Sequence, residues 1–198
     1  MTDDTSSRHL RRAIKLVALL NLSYFVVEFI AAISIGSVSL FADSIDFLED
    51  TSVNLLILLA LGWSLRARSR VGMALAVILL VPGIATLWTV WQKIAAPLPP
   101  EPMTLSIVGA GALAVNLTCA LILARFRKHS GSLTKAAFLS ARNDAYANVA
   151  IIAAGLVTAF TYSVWPDVIV GLGIAAMNAT AAKEVWEAAR SEGETAHS

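Results

Sequence analysis

The chain has 198 residues, of which 57% are hydrophobic and only 15% are charged, and its formal net charge is +1. Soluble domains of this size usually carry about a quarter charged residues, so this composition excludes a typical soluble domain and favours a lipid environment. The net charge itself says little, because a bilayer sorts charged residues by side.

Apolar runs of about 20 residues follow one another along the chain, and each is long enough to cross a bilayer as a helix. The six predicted spans are 10–35, 37–63, 71–91, 103–126, 134–161 and 164–186. We therefore predict an all-α membrane protein, a six-helix transmembrane bundle over residues 1–190. A short disordered tail is expected at 191–198, with no cytoplasmic C-terminal domain.

The basic residues predict the orientation of these spans, since cytoplasmic loops are enriched in Lys and Arg. They lie in the alternate connections and at both ends: Arg8, Arg11, Arg12, Lys15, Arg66, Arg68, Arg70, Arg125, Arg127, Lys128, Lys135, Lys183 and Arg190. The opposite side receives only Lys93. Both termini are therefore expected in the cytoplasm, in a multi-pass protein of the cell (inner or plasma) membrane.

The second predicted span carries the acids Asp43, Asp46, Glu49 and Asp50 in its first half. An Asp near the centre of a transmembrane helix costs about 2.5–3.5 kcal/mol on insertion scales, so such residues face the bundle interior or a watery cavity and mark a functional site. At about 100° per residue, Asp43, Asp46, Asp50 and Asn54 fall within an arc of about 80°. Glu49 lies off this arc and is expected to meet a neighbouring helix or the cation path.

Asp46 and Asp50 are i,i+4 neighbours, stacked one helical turn apart. Two like charges so close disfavour joint ionisation, so the pair needs a cation beside it or a bound proton. Exchange of a divalent cation for protons satisfies both conditions.

The fifth predicted span supplies a second polar face, with Ser140, Asp144 and Asn148 at successive turns. At about 1.5 Å per residue, Asp50 and Asp144 reach a similar depth, so the two helices can share one site. Arg142 lies roughly opposite Asp144 and is expected to extend outward, where it would not neutralise that acid.

A simpler interpretation stays open for these residues. Buried carboxylates can pair with Arg142 or form hydrogen bonds between helices without binding any ligand. For Asn21 and Glu28, on one face of the first span, helix packing is about as well supported as a role in the cation path. Asn116 and Asn178 are expected to form interhelical hydrogen bonds.

The second span reads GSVSLFADSIDFLED and the fifth contains SARND. In these motifs the chain resembles the cation diffusion facilitator family of divalent metal/proton antiporters, over nearly its whole length, as that family's six-helix transmembrane domain. The resemblance implies metal ligands at Asp46 and Asp50 and, in the fifth span, at Ser140 and Asp144. Glu28, Asp43, Glu49, Asn143 and Asn148 are further candidates for the cation path.

Ser140 departs from the family pattern, because a His or a carboxylate usually stands at this position. The remaining ligands are all oxygens, which suits manganese, magnesium or ferrous iron better than zinc, although zinc is not excluded. Asn143 or Asn148 is expected to add a carbonyl oxygen.

The expected function is divalent metal transport, by metal/proton antiport in the direction of efflux. No enzyme activity, prosthetic group or nucleic-acid partner is expected, since no catalytic or phosphate-binding motif is present. The expected partners are the lipid bilayer, divalent metal ions, protons and a second copy of the chain, in a homodimer through transmembrane helices. The alternative is a non-transporting membrane interaction subunit related to these transporters.

Overall fold

The computed structural model describes residues 2–60, 70, 84–125 and 131–195. Its helices are α1 (Thr2–Ile35), α2 (Val38–Ala60), α3 (described over 84–95), α4 (Pro102–Ala124), α5 (Gly131–Thr161) and α6 (Trp165–Thr195). The described part of the chain is helical with short connections and contains no strand, which confirms the all-α prediction. The remainder of the third predicted span, 71–83, lies outside the described residues.

The last helix corrects one predicted boundary. Residues 191–195, expected in a disordered tail, continue α6 to Thr195. The preceding sequence, KEVWEAAR, is rich in strong helix formers, and the pair Lys183 and Glu187 approaches to 3.8 Å at i,i+4 spacing. A polar sequence after a membrane span therefore need not end the helix. Residues 196–198 lie outside the described part.

Gly36 makes the tight connection between α1 and α2. Its φ of 61° is in the left-handed region, and Ser37 N–H donates to the Ala32 carbonyl at 2.9 Å, as in a Schellman helix end. Ser37 then caps α2, because its Oγ accepts from Leu40 N–H at 3.1 Å. The two helices consequently run antiparallel as close neighbours.

Glu101 caps the start of α4, at the end of the bundle that the sequence predicts to lie on the external side. Its carboxylate accepts from Met103 N–H at 3.0 Å and from Thr104 N–H, and Pro102 occupies the first turn. These hydrogen bonds, those with Thr104 above all, hold the pKa of Glu101 below its ordinary value.

Helix α2 lies at the centre of the described bundle. It packs against α1, α5 and α6, while α4 packs along α5 and contacts α1. One apolar cluster joins five helices: Ala32, Leu40, Ala42, Leu105, Ile151 and Ile174. Gly171 of α6 allows close approach to α2, since an added Cβ would lie 2.8 Å from the Val38 carbonyl carbon. Asp43, Glu49 and Asp50 of α2 are buried in this bundle, and Asp46 is partly buried.

The bundle places polar side chains inside and apolar side chains outside, as expected in lipid. Asn21, Glu28 and Asp43 are fully buried, whereas Ile30 is 62% and Phe160 85% exposed. Four aromatic residues near helix ends are also exposed, as is common at membrane–water interfaces: Trp88, Trp91, Tyr162 and Trp165. Among the described residues, three helical stretches are long and apolar enough to span a membrane, namely Arg8–Ile35, Pro102–Ala124 and Ser140–Thr161.

Candidate functional site

A cavity of about 310 Å³ lies between α2, α5 and α6. Its lining residues are Asp46, Glu49, Asp50, Ser140, Asn143, Asp144, Met177, Asn178 and Thr180. All four residues at the predicted ligand positions, two from α2 and two from α5, therefore reach one cavity. Their role as metal ligands stays a prediction.

Asp50 is held by hydrogen bonds from two other helices. Ser140 Oγ of α5 donates to its Oδ1 at 3.0 Å, and Asn21 Nδ2 of α1 donates to its Oδ2 at 3.3 Å. Asn21 is itself fixed, because the Cys119 thiol donates to its Oδ1 at 3.4 Å. The Ser140 hydroxyl thus orients a neighbouring carboxylate in this structure, and Asn21 does the same from the first helix.

Asp46 and Asp144 have no hydrogen-bond partner within the described part of the chain, and both line the cavity. Asp144 is 8% exposed. Arg142 is exposed, and its Nη2 donates to Asn143 Oδ1 at 3.3 Å. The prediction that Arg142 leaves Asp144 unneutralised agrees with this geometry, and no described residue of the cavity lining is basic.

A second polar network lies beside the cavity and is fully enclosed. Asn116 Nδ2 of α4 donates to Asn148 Oδ1 at 2.9 Å, and Asn148 Nδ2 donates to Asp43 Oδ2. Glu28 of α1 has an exposed fraction of 0%, as has Asp43. Glu28, Asp43 and Asn148, three of the candidates for the cation path, are thus buried in helix contacts, whereas Glu49 and Asn143 line the cavity.

The acids do not form a closed metal cage. Within the described residues, no three His, Cys, Asp or Glu side chains converge closely enough to hold a metal ion as they stand. The carboxylates instead surround an open cavity, where a cation can keep some of its water molecules as ligands. His9 is exposed near the start of α1, and His129 and His197 lie outside the described residues.

The family model of the cation efflux transmembrane domain matches residues 14–191. The chain belongs to the cation efflux family. The resemblance inferred from GSVSLFADSIDFLED and SARND is thereby confirmed. A cation efflux domain makes this chain a membrane protein and a cation transporter of the cation diffusion facilitator kind. A comparison with curated proteins returns no match.

Sequence reasoning missed the contribution of α6 to the cavity of this cation efflux domain. Asn178 forms the expected interhelical hydrogen bond, from its Nδ2 to the Ala42 carbonyl at 3.3 Å, but it also lines the cavity with Met177 and Thr180. Glu49 lines it too, although it lies outside the arc of the other acids. The cavity therefore extends beyond the face of α2 that carries Asp46 and Asp50.

Sequence reasoning also missed Asp167, at the outer end of the cation efflux bundle. This fully buried acid of α6 accepts hydrogen bonds from the start of α2: Ser37 Oγ at 2.6 Å, Val38 N–H at 2.8 Å, Ser39 N–H at 3.1 Å and Ser39 Oγ at 2.6 Å. Lys93 Nζ of α3 donates to the Gly36 carbonyl nearby. An acid in the first turn of a helix is common for electrostatic reasons, so its position in the sequence was uninformative.

Proposed function

We propose that this cation efflux protein is a secondary transporter that binds one divalent cation with Asp46, Asp50 and Asp144. It exchanges the cation for protons across the cell membrane, in the direction of efflux. The observation that carries the proposal is the single cavity that these acids of α2 and α5 share, with no basic residue among the described residues of its lining.

Charge supports a divalent cation as the transported ion. Four carboxylates line a cavity of about 310 Å³, and their mutual repulsion in a low-dielectric region disfavours ionising all of them without a cation. A divalent ion in the cavity would stabilise the ionised acids, and protons would replace it when it leaves. Exchange of one for the other is therefore the natural chemistry of this cavity.

The lining also limits the class of ion. Its donors are carboxylate, hydroxyl and amide oxygens, together with the Met177 thioether. Oxygen ligands favour manganese, ferrous iron or magnesium, whereas zinc prefers His and Cys. The cavity is large enough for a partly hydrated ion, which suits hard cations that release water reluctantly.

The contacts at the outer end of the bundle support alternating access to this site. Asp167 ties the start of α6 to the start of α2, and Val38, Val90 and Val168 form an apolar cluster beside it. The acids of the cavity lie further along α2, beyond this packed end. We infer that the structure represents a state closed on the external side, and that transport requires these helices to rock around the site.

The first prediction is transport itself. The full chain, reconstituted into liposomes with an imposed pH gradient, is expected to move manganese and to do so faster than in the absence of the gradient. Asp144→Ala is expected to lower the rate by at least about 10-fold, because one carboxylate of the cavity is lost. Metal-sensitive fluorescence inside the vesicles measures the uptake of manganese, iron, zinc and cobalt.

Arg142→Gln is the matched control, since Arg142 lies two residues from Asp144, is exposed and donates a hydrogen bond to Asn143 rather than to an acid. It is expected to transport like the parent. Equal transport by Asp144→Ala and the parent would show that the site is wrong. A parent that neither transports nor binds cations in calorimetric titration would favour a non-transporting interaction subunit.

A second prediction concerns the ion preference set by Ser140. Its hydroxyl lies 3.0 Å from Asp50, so a His at this position brings an imidazole nitrogen to the edge of the cavity. Ser140→His is expected to raise the affinity for zinc relative to manganese by roughly 10-fold, since zinc favours nitrogen ligands. Competition titrations with both metals measure the ratio. Ser140→Ala is the control, and a His variant with the same ratio as this control would contradict the assignment.

A further inference from the structure

Glu28 is completely enclosed, yet it has no hydrogen-bond partner among the residues that the structure describes. Its exposed fraction is 0%, and neither Oε1 nor Oε2 has a partner in that part of the chain. Asp43 Oδ1, on the neighbouring helix α2, is likewise buried without a hydrogen-bond partner among the described residues. Buried polar atoms are almost always satisfied, so three unpartnered carboxyl oxygens in one place indicate a missing ligand.

The two carboxyl groups lie within hydrogen-bonding reach of each other. When both are ionised they are acceptors only, so no hydrogen bond can join them. A single proton on either group converts it into a donor and satisfies two of the three oxygens at once. The surrounding groups offer no substitute, because the Tyr24 hydroxyl donates to the Val108 carbonyl at 2.6 Å and Asn148 already donates to the other oxygen of Asp43.

Every charged group described near this pair is acidic. Asp46 of α2 and Asp144 of α5 act on it electrostatically, and Tyr24 of α1 is the remaining titratable neighbour. Neither Glu28 nor Asp43 lines the cavity. A divalent cation needs several oxygen ligands and usually some water, whereas a proton needs only the two carboxyl groups. The geometry therefore favours a proton over a metal ion.

We propose that Glu28 and Asp43 form a proton-binding site, separate from the cation cavity, that carries the counter-ion of transport. This inference rests on the proposed metal/proton exchange. Asp43 lies one helical turn from Asp46, and Asn148 lies one turn from Asp144 on α5. A divalent cation in the cavity repels the proton on the pair, so the pair releases one proton to water as the cation binds and takes one up as it leaves.

The test uses the full chain in liposomes and difference infrared spectroscopy. At matched pH, adding manganese is expected to remove the carbonyl band of a protonated carboxylic acid. Deuterium exchange identifies this band by its shift. Glu28→Gln is expected to lose the part of this band that the pair contributes, while the protonated acids of the cavity keep theirs. It is expected to bind manganese within about 3-fold of the parent, and its uptake is expected to respond less to a pH gradient. The matched control is Glu187→Gln, an exposed acid of α6 that is expected to keep the band.

A band in Glu28→Gln with the full intensity of the parent band, or no band in the parent, would overturn the inference. Uptake by Glu28→Gln that follows the pH gradient as in the parent would also overturn it. Asp43→Asn is a second variant, expected to shift the parent band because the acid's partner changes. If the parent carries no cation, the proposed transport fails, but comparison of the band in the parent and in Glu28→Gln still decides whether the pair holds a proton.

Discussion

Asp50→Asn is expected to weaken cation binding by roughly 100-fold or more, equivalent to about 3 kcal/mol, and to abolish measurable transport. The change keeps the shape of the side chain and removes one negative charge from the cavity. Among the acids of the cavity, Asp50 is held by two hydrogen bonds from other helices, from Ser140 Oγ at 3.0 Å and Asn21 Nδ2 at 3.3 Å. A ligand already oriented loses little freedom when a cation binds, so it contributes more than a mobile acid does.

Calorimetric titration with manganese in detergent measures the affinity, and vesicle uptake measures transport. The matched control is Ser52→Ala, two residues further along α2, where the hydroxyl bonds to the Leu48 carbonyl at 2.8 Å and is not part of the cavity. It is expected to bind manganese like the parent. Unchanged affinity in Asp50→Asn would exclude Asp50 as a ligand and leave Asp46, Glu49 and Asp144 as the candidate carboxylates among the described residues of the cavity.

Asn21 of α1 supports Asp50 through a hydrogen bond, so replacing Asn21 is expected to weaken cation binding less than replacing Asp50 itself. Asn21→Ala removes one of the two donors and leaves the carboxylate in place, so binding is expected to weaken less than in Asp50→Asn. Asn21→Ala and Asp50→Asn both disrupt the hydrogen bond between Asn21 and Asp50. The loss in the double variant is therefore expected to fall short of the sum of the single losses.

The spans and the two acidic faces could be predicted from the sequence because both depend on local information. Runs of about 20 apolar residues are read directly as spans, and the 100° step of a helix places Asp46 beside Asp50 and Ser140 beside Asp144. The similar depth of Asp50 and Asp144 in their helices then indicates that α2 and α5 can share one site. The shared cavity agrees with this prediction because the polar faces of buried helices must turn away from lipid.

The contacts between helices could not be predicted in the same way. The bond from Asn21 to Asp50 joins residues 29 positions apart, and the bond from Ser140 to Asp50 joins residues 90 apart. Their pairing depends on the rotation and height of each helix against its neighbour, which a single sequence does not specify. For the same reason the contribution of α6, including Asn178, was absent from the predicted site.

Asp167 is the clearest example of a contact between helices that the sequence did not predict. Its replacement is expected to have the second large effect. Asp167→Ala is expected to destabilise the protein by about 3 kcal/mol, because it leaves buried backbone and hydroxyl donors at the start of α2 without an acceptor. It also removes a negative charge from the N-terminus of α2, where the helix dipole favours one. For a chain of this size the apparent midpoint of thermal unfolding in detergent should fall by roughly 5–10 °C.

Graded variants separate this role from a general loss of packing. Asp167→Asn keeps one acceptor oxygen and is expected to lose about half as much stability, whereas Ser39→Ala removes only one of the four donor groups and should lose about 1 kcal/mol. Scans at one fixed rate compare all variants with the exposed control Glu187→Gln. Manganese affinity well below the midpoint is expected to change little in Asp167→Ala, since Asp167 does not line the cavity. An unchanged midpoint would mean that water replaces the carboxylate at the start of α2, and that apolar packing, including that of Val38, Val90 and Val168, suffices to hold these ends of α2 and α6.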